Sequence, residues 1–147
     1  MKNILSVVLV SFIVVMSMLS ANIDGLAHNH DIAGNIVSAT CDCGFKTTMA
    51  LGGGKRNFET VCMFPFYCKD CSSLIELNTF NEKYSCDKCN SENVMCYDND
   101  SLRAHKSDVS VFGWNLDWKS YVLKDDSYLC PQCKEFKLKF KSIGNFD

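Results

Sequence analysis

Cys68-Lys-Asp-Cys71 and Cys86-Asp-Lys-Cys89 offer four thiols as two pairs, each pair spaced by two residues, with fourteen residues between the pairs. Two thiolates so spaced in a tight turn can face one ion. A second turn of the same kind completes a tetrahedron with sulfur about 2.3 Å from zinc. Cysteines this close seldom bridge each other, because so small a ring strains the disulfide dihedral. Metal binding is therefore the chemistry expected of these four. Two further pairs remain, Cys41-Asp-Cys43 followed by Gly44, and Cys130-Pro-Gln-Cys133 near the end of the chain.

Cys130-Pro-Gln-Cys133 has two readings. Cys-Pro-x-Cys is a thiol–disulfide exchange pattern, whose first thiol needs a helix N-terminus to lower its pKa. Here only fourteen residues follow Cys133. They alternate Phe136, Leu138 and Phe140 with Lys137, Lys139 and Lys141, a strand pattern with one apolar face. A strand after the motif favours a second metal knuckle, with Cys41 and Cys43 as its partners across 86 residues. Such a clamp would close most of the domain into a loop and stabilise it by constraining the unfolded chain. Cys62 and Cys96 are left over, as a possible disulfide or as two small buried apolar residues.

The stretch "CKDCSSLIELNTFNEKYSCDKC" resembles the zinc ribbon group and, more distantly, the rubredoxin-like knuckle proteins. The resemblance implies knuckles at hairpin tips with paired strands beneath the metal: "LIELNTF" and "KYSC" as strands, "NEK" as their turn. It implies a scaffold and no activity, since such ribbons serve unrelated roles. Ser72 and Asn90 stand where that group usually carries glycine; Asn tolerates a left-handed backbone more readily than Ser.

The 147-residue chain opens with Lys2 and an apolar run from Ile4 to Leu19, and Gly25-Leu26-Ala27 offers a small-x-small exit. This describes a signal peptide over residues 1–27, cleaved before His28; retention of residues 4–19 as a membrane anchor is the alternative. Export to a periplasm, cell envelope or the exterior follows, with residues 28–147 as one domain. The formal charge is −2, and two tetrathiolate zinc sites would take it to about −6. That is no footprint for a phosphate backbone, so nucleic acid is not an expected partner. A cleaved chain would begin His28-Asn-His30, a nitrogen set that could chelate copper, or else a solvated terminus.

Elsewhere the chemistry thins out. "LGGGKRN" fails as a phosphate loop, because Arg56 and Met49 occupy the required Ser/Thr and Gly positions. The glycines read instead as room for a tight turn or close backbone approach. Pro65 demotes "VCMFPFYC" to an edge strand or loop. The Lys137/Lys139/Lys141 row reads as blunting an exposed sheet edge. Strands are expected near "NIVSA", "FKTTMAL", "NVMCY", "VSVFGW" and "SYVLK", with a turn of helix at "NDSLRAHK", and Trp114 and Trp118 as further aromatics. No hydrolytic triad, carboxylate pair or His-Glu-x2-His helix is present.

The expectation is a mainly β, zinc-ribbon-type domain with two four-cysteine sites, exported and non-catalytic. Cys68, Cys71, Cys86 and Cys89 hold one structural Zn²⁺; Cys41, Cys43, Cys130 and Cys133 hold the other. An unidentified protein is its possible partner. A rubredoxin-like iron carrier, a thiol–disulfide factor and a metal-handling protein are the competing readings.

Overall fold

Nine strands carry the chain, and the computed structural model describes residues 34–105, 107–115 and 120–147. The apolar leader, His28, His30 and Trp118 lie outside the described residues. Among the described residues no helix is long and apolar enough to cross a membrane.

Strands β1 (Gly34–Thr40), β2 (Lys46–Leu51), β8 (Tyr128–Leu129) and β9 (Phe136–Phe146) form one antiparallel sheet in the order β2-β1-β9-β8. Period-two alternation sets its faces: Val37, Ala39, Met49, Leu51, Leu138 and Phe140 turn inward and are buried. Past Phe140 the inward pattern ends, and Ile143 is exposed beside a shift in the β1–β9 register. Because β9 lies between β1 and β8, Lys137, Lys139 and Lys141 project from the solvent face of an interior strand and blunt no edge. Phe136 is also exposed, so the apolar face expected there begins at Leu138.

Strands β3 (Met63–Cys68), β4 (Ser73–Asn78) and β5 (Val94–Cys96) form a second sheet in the order β4-β3-β5. The run holding Pro65 is thus its central strand, which corrects the edge-or-loop expectation. The Pro65 carbonyl accepts the Tyr97 amide at 3.0 Å. The proline's backbone therefore faces the β5 side, where β5 has already ended, and no bond toward β4 is lost. β3 is also buried on both faces. Phe64 meets Phe112 and Tyr121 of the hairpin β6 (Ser110–Asn115) and β7 (Ser120–Lys124). Tyr67, pointing the other way, meets Tyr97. A strand covered on both faces reads as one apolar run. Residues 83–86, expected as a strand paired with β4, form none; β4 pairs with β3 instead. There the Tyr84 ring lies on Phe66 and its hydroxyl donates to the Thr79 carbonyl, so the segment crosses the sheet face. A short 3-10 turn at Asp100–Leu102 answers the expected helical turn.

The triple glycine serves close approach. Gly52 has φ +82°, and a Cβ there would sit 2.6 Å from the Trp114 ring. At Gly53 it would sit 2.3 Å from the Val61 carbonyl oxygen. Gly52→Ala combines left-handed strain with a ring clash, so a loss on the order of 2 kcal/mol is expected in urea denaturation. A variant as stable as the parent would show that this crossing relaxes freely.

Candidate metal centres

Each of the four cysteine pairs occupies a turn. Cys41 and Cys43 lie between β1 and β2, and Cys130 and Cys133 between β8 and β9. These hairpin tips sit side by side because β1 and β9 pair. Cys68 and Cys71 lie at the β3–β4 tip; Cys86 and Cys89 form the turn that leads into β5. One backbone device recurs in all four. The residue after the second cysteine takes a positive φ: Gly44 (95°), Ser72 (53°), Asn90 (59°) and Lys134 (63°). The first cysteine's amide closes three of the turns, Cys41 to the Phe45 carbonyl, Cys86 to Ser91 and Cys130 to Glu135. In the fourth, Cys68 and Ser73 face each other in the β3–β4 register. Ser72 accepts the left-handed conformation with its hydroxyl 3.3 Å from the Tyr67 hydroxyl, which donates to it. Lys134 does so with its ammonium 5.8 Å from the Tyr67 ring centre. Sequence reasoning missed Lys134, because lysine carries no signal for this backbone.

The sulfurs then gather as expected. Cys68 Sγ lies 3.6 Å from Cys89 Sγ, and Cys71 Sγ lies 3.6 Å from Cys86 Sγ. At the other end Cys41 Sγ is 3.7 Å from Cys133 Sγ, and Cys43 Sγ is 3.7 Å from Cys130 Sγ. Within each group all four sulfurs lie within 4.8 Å of one another. A tetrahedron with metal–sulfur bonds of about 2.3 Å has edges of about 3.8 Å. A disulfide needs about 2.05 Å. The separations fit four thiolates around one ion. The clusters are zinc-ribbon-like in this respect, and the donor set alone suits zinc or iron.

Comparison with known proteins adds little. No family model matches the chain, and no solved structure does. A UPF0251 protein of Clostridium acetobutylicum is 41% identical over 49 residues, which are 33% of this chain and 32% of that protein. The match thus spans about a third of that relative's length.

The electrostatics divide each cluster. The Phe45 amide draws the Cys43 thiol down to about 7, and the Ser73 hydroxyl draws Cys71 down to about 6. Burial pushes Cys41 up to about 12 and also raises Cys130. The Ser91 amide pulls Cys89 down, but burial and the bonds from Cys71, Cys68 and Cys86 together push it up to about 12. Each cluster thus holds one thiol ready as a thiolate near neutral pH. A cation lowers the others by its own charge.

Cys130-Pro-Gln-Cys133 sits at a hairpin tip against Cys41 and Cys43, away from any helix start, which removes the geometry that exchange chemistry wants. Cys62 stands as a thiol and as no half of a disulfide. The register explains why. Cys96 pairs opposite Phe66, and Cys62 precedes Phe66 by four residues of extended chain, roughly 13 Å. A disulfide needs Cα atoms within about 7 Å. Cys62 is fully buried, and burial raises its thiol to about 11 against the Thr79 hydroxyl. Its role is packing.

Proposed function

We propose that this chain is an exported, non-catalytic zinc protein, in which two tetrathiolate sites hold a small β scaffold that presents a surface to a partner. The observation that carries this reading is the pair of four-sulfur clusters with separations of 3.6–3.7 Å. Cys68, Cys71, Cys86 and Cys89 would hold one ion, and Cys41, Cys43, Cys130 and Cys133 the other. A bound zinc supplies folding energy there; a closed four-thiolate shell leaves no open position for water, which supports a structural role. Export rests on the leader at residues 1–27. Elemental analysis of the purified chain, with a thiol count in denaturant and chelator, tests the proposal. About two zinc ions and all ten cysteines as thiols are expected. Visible iron–thiolate absorption would replace this reading with the electron carrier, and disulfides among the eight ligands would end it. Intact mass of the secreted form should correspond to a chain beginning at His28.

A further inference from the structure

A groove of about 360 Å³ runs between the two clusters, and all four knuckle turns contribute to its walls or rim. Phe45, Lys46 and Thr47 line it from the β2 side, and Ser72, Ser73 and Leu74 from the β4 side. Lys88, Pro131 and Gln132 close it at the knuckles.

Both lips are outermost strands. β2 ends the four-stranded sheet and β4 ends the three-stranded one. Their main-chain groups can be assigned from two bonds. The Ala50 amide donates to the Glu76 carboxylate at 3.3 Å. Ala50 therefore turns away from β1, and by strand alternation so do Thr48 and Lys46. On the other lip, Pro65 faces β5 through its bond from Tyr97, so Pro65 and Glu76 are a non-bonded pair. Glu76 and Leu74 then turn their amides and carbonyls outward, toward the gap. At the gap's far end the Glu76 side chain holds the Ala50 amide, where an inserted strand's carbonyl would otherwise bond.

We infer that this groove is a peptide-binding site: an extended segment of a partner protein inserts between β2 and β4 as an added strand, with an acidic side chain held by Lys46 and Lys88. This names the partner chemistry of the surface proposed above and rests on that reading. Two facing strand edges supply main-chain partners on both sides, which a strand can satisfy and a compact anion cannot. Phe45, Leu74 and Pro131 give apolar ground for alternate side chains. Lys46 and Lys88 are the charged residues of the lining, so carboxylates find complementary charge there and ammonium groups meet repulsion. A nucleic-acid backbone would face the charge of −2 that each loaded site brings, on a chain already at −2.

The test uses the zinc-loaded, isotope-labelled full chain and three probes: a short capped peptide alternating valine and glutamate, its valine–lysine counterpart, and inorganic phosphate. The glutamate peptide is expected to shift the amide resonances of Lys46, Thr48 and Leu74 and to slow their hydrogen exchange. The Lys46→Glu, Lys88→Glu double variant should weaken it by about tenfold or more. Thr48→Pro should abolish binding, because it removes an outward donor while sparing the β1–β2 ladder. Zinc per chain is measured on every sample. Should Thr48→Pro lose metal, the lysine variant decides alone. Equal binding of both peptides, no binding up to roughly millimolar peptide, displacement of the peptide by phosphate, or tighter binding of a thymidine oligomer would overturn the inference. Failure with two zincs still bound sinks the groove and leaves the zinc reading standing; samples lacking zinc sink both.

Discussion

Cys130→Ser is expected to release one of two bound zinc ions and to take most of the cooperative stability with it. Cys130 is fully buried, and its sulfur stands 3.7 Å from that of Cys43. Its loss leaves three thiolates and a buried hydroxyl. Structural zinc sites contribute about 10–16 kcal/mol of apparent binding energy. A domain of this size has only about 5–15 kcal/mol in hand. Removing one of two sites is therefore enough to approach unfolding. The site also joins Cys41 to Cys133, 92 residues apart, so its loss frees a long loop in the unfolded chain. Elemental analysis should fall from about two zincs per chain to one, and the thermal transition should drop far or vanish. Cys62→Ala is the control. It removes a buried thiol outside both clusters, should keep both metals, and should cost only about 1–2 kcal/mol. If Cys130→Ser keeps two zincs and melts like its parent, the long-range site does not exist.

The cysteine turns were legible because a knuckle is local: spacing, turn and ligand direction lie within six residues. The distant pairing of Cys41 and Cys43 with Cys130 and Cys133 could be argued too, since few partners were left and the terminal strand pattern was plain. Strand partners were harder. Pro65 misled because its meaning depends on which neighbour its missing N–H faces, and only the register reveals that. Lys137, Lys139 and Lys141 misled for the opposite reason, since alternation gives the exposed face of a strand and says nothing about its place in the sheet. The turn residue Lys134 was invisible because tertiary contacts to Tyr67, and no intrinsic preference, hold it left-handed. The facing edges of β2 and β4 belong to this class as well. They lie some 25 residues apart in sequence, as Ala50 and Glu76 show, and only folding brings them together.

Tyr97 gave no signal in the sequence either, yet truncating it should rank next in effect. It follows β5 directly and is fully buried. Its amide donates to Pro65 of the three-stranded sheet, and its hydroxyl donates to the Leu129 carbonyl of the four-stranded one, at 2.9 Å. Its ring meets Tyr67, Tyr128 and Phe140 edge-on at 5.4–6.3 Å. Leu129 precedes Cys130, so this one side chain ties the core of one metal-bearing sheet to the ligand turn of the other. Tyr97→Phe keeps the ring and leaves the Leu129 carbonyl without its donor, a loss of about 1–2 kcal/mol. Tyr97→Ala removes the ring as well and should cost about 3–5 kcal/mol. Stability alone would not separate this role from ordinary core packing. The kinetics of metal loss would: a chelator should strip the Cys41/Cys43/Cys130/Cys133 site faster in both variants, while the other site keeps its parental rate in Tyr97→Phe. Equal acceleration at both sites would mean that Tyr97 merely fills space, because a hydroxyl bonded beside Cys130 can steady only the turn it touches.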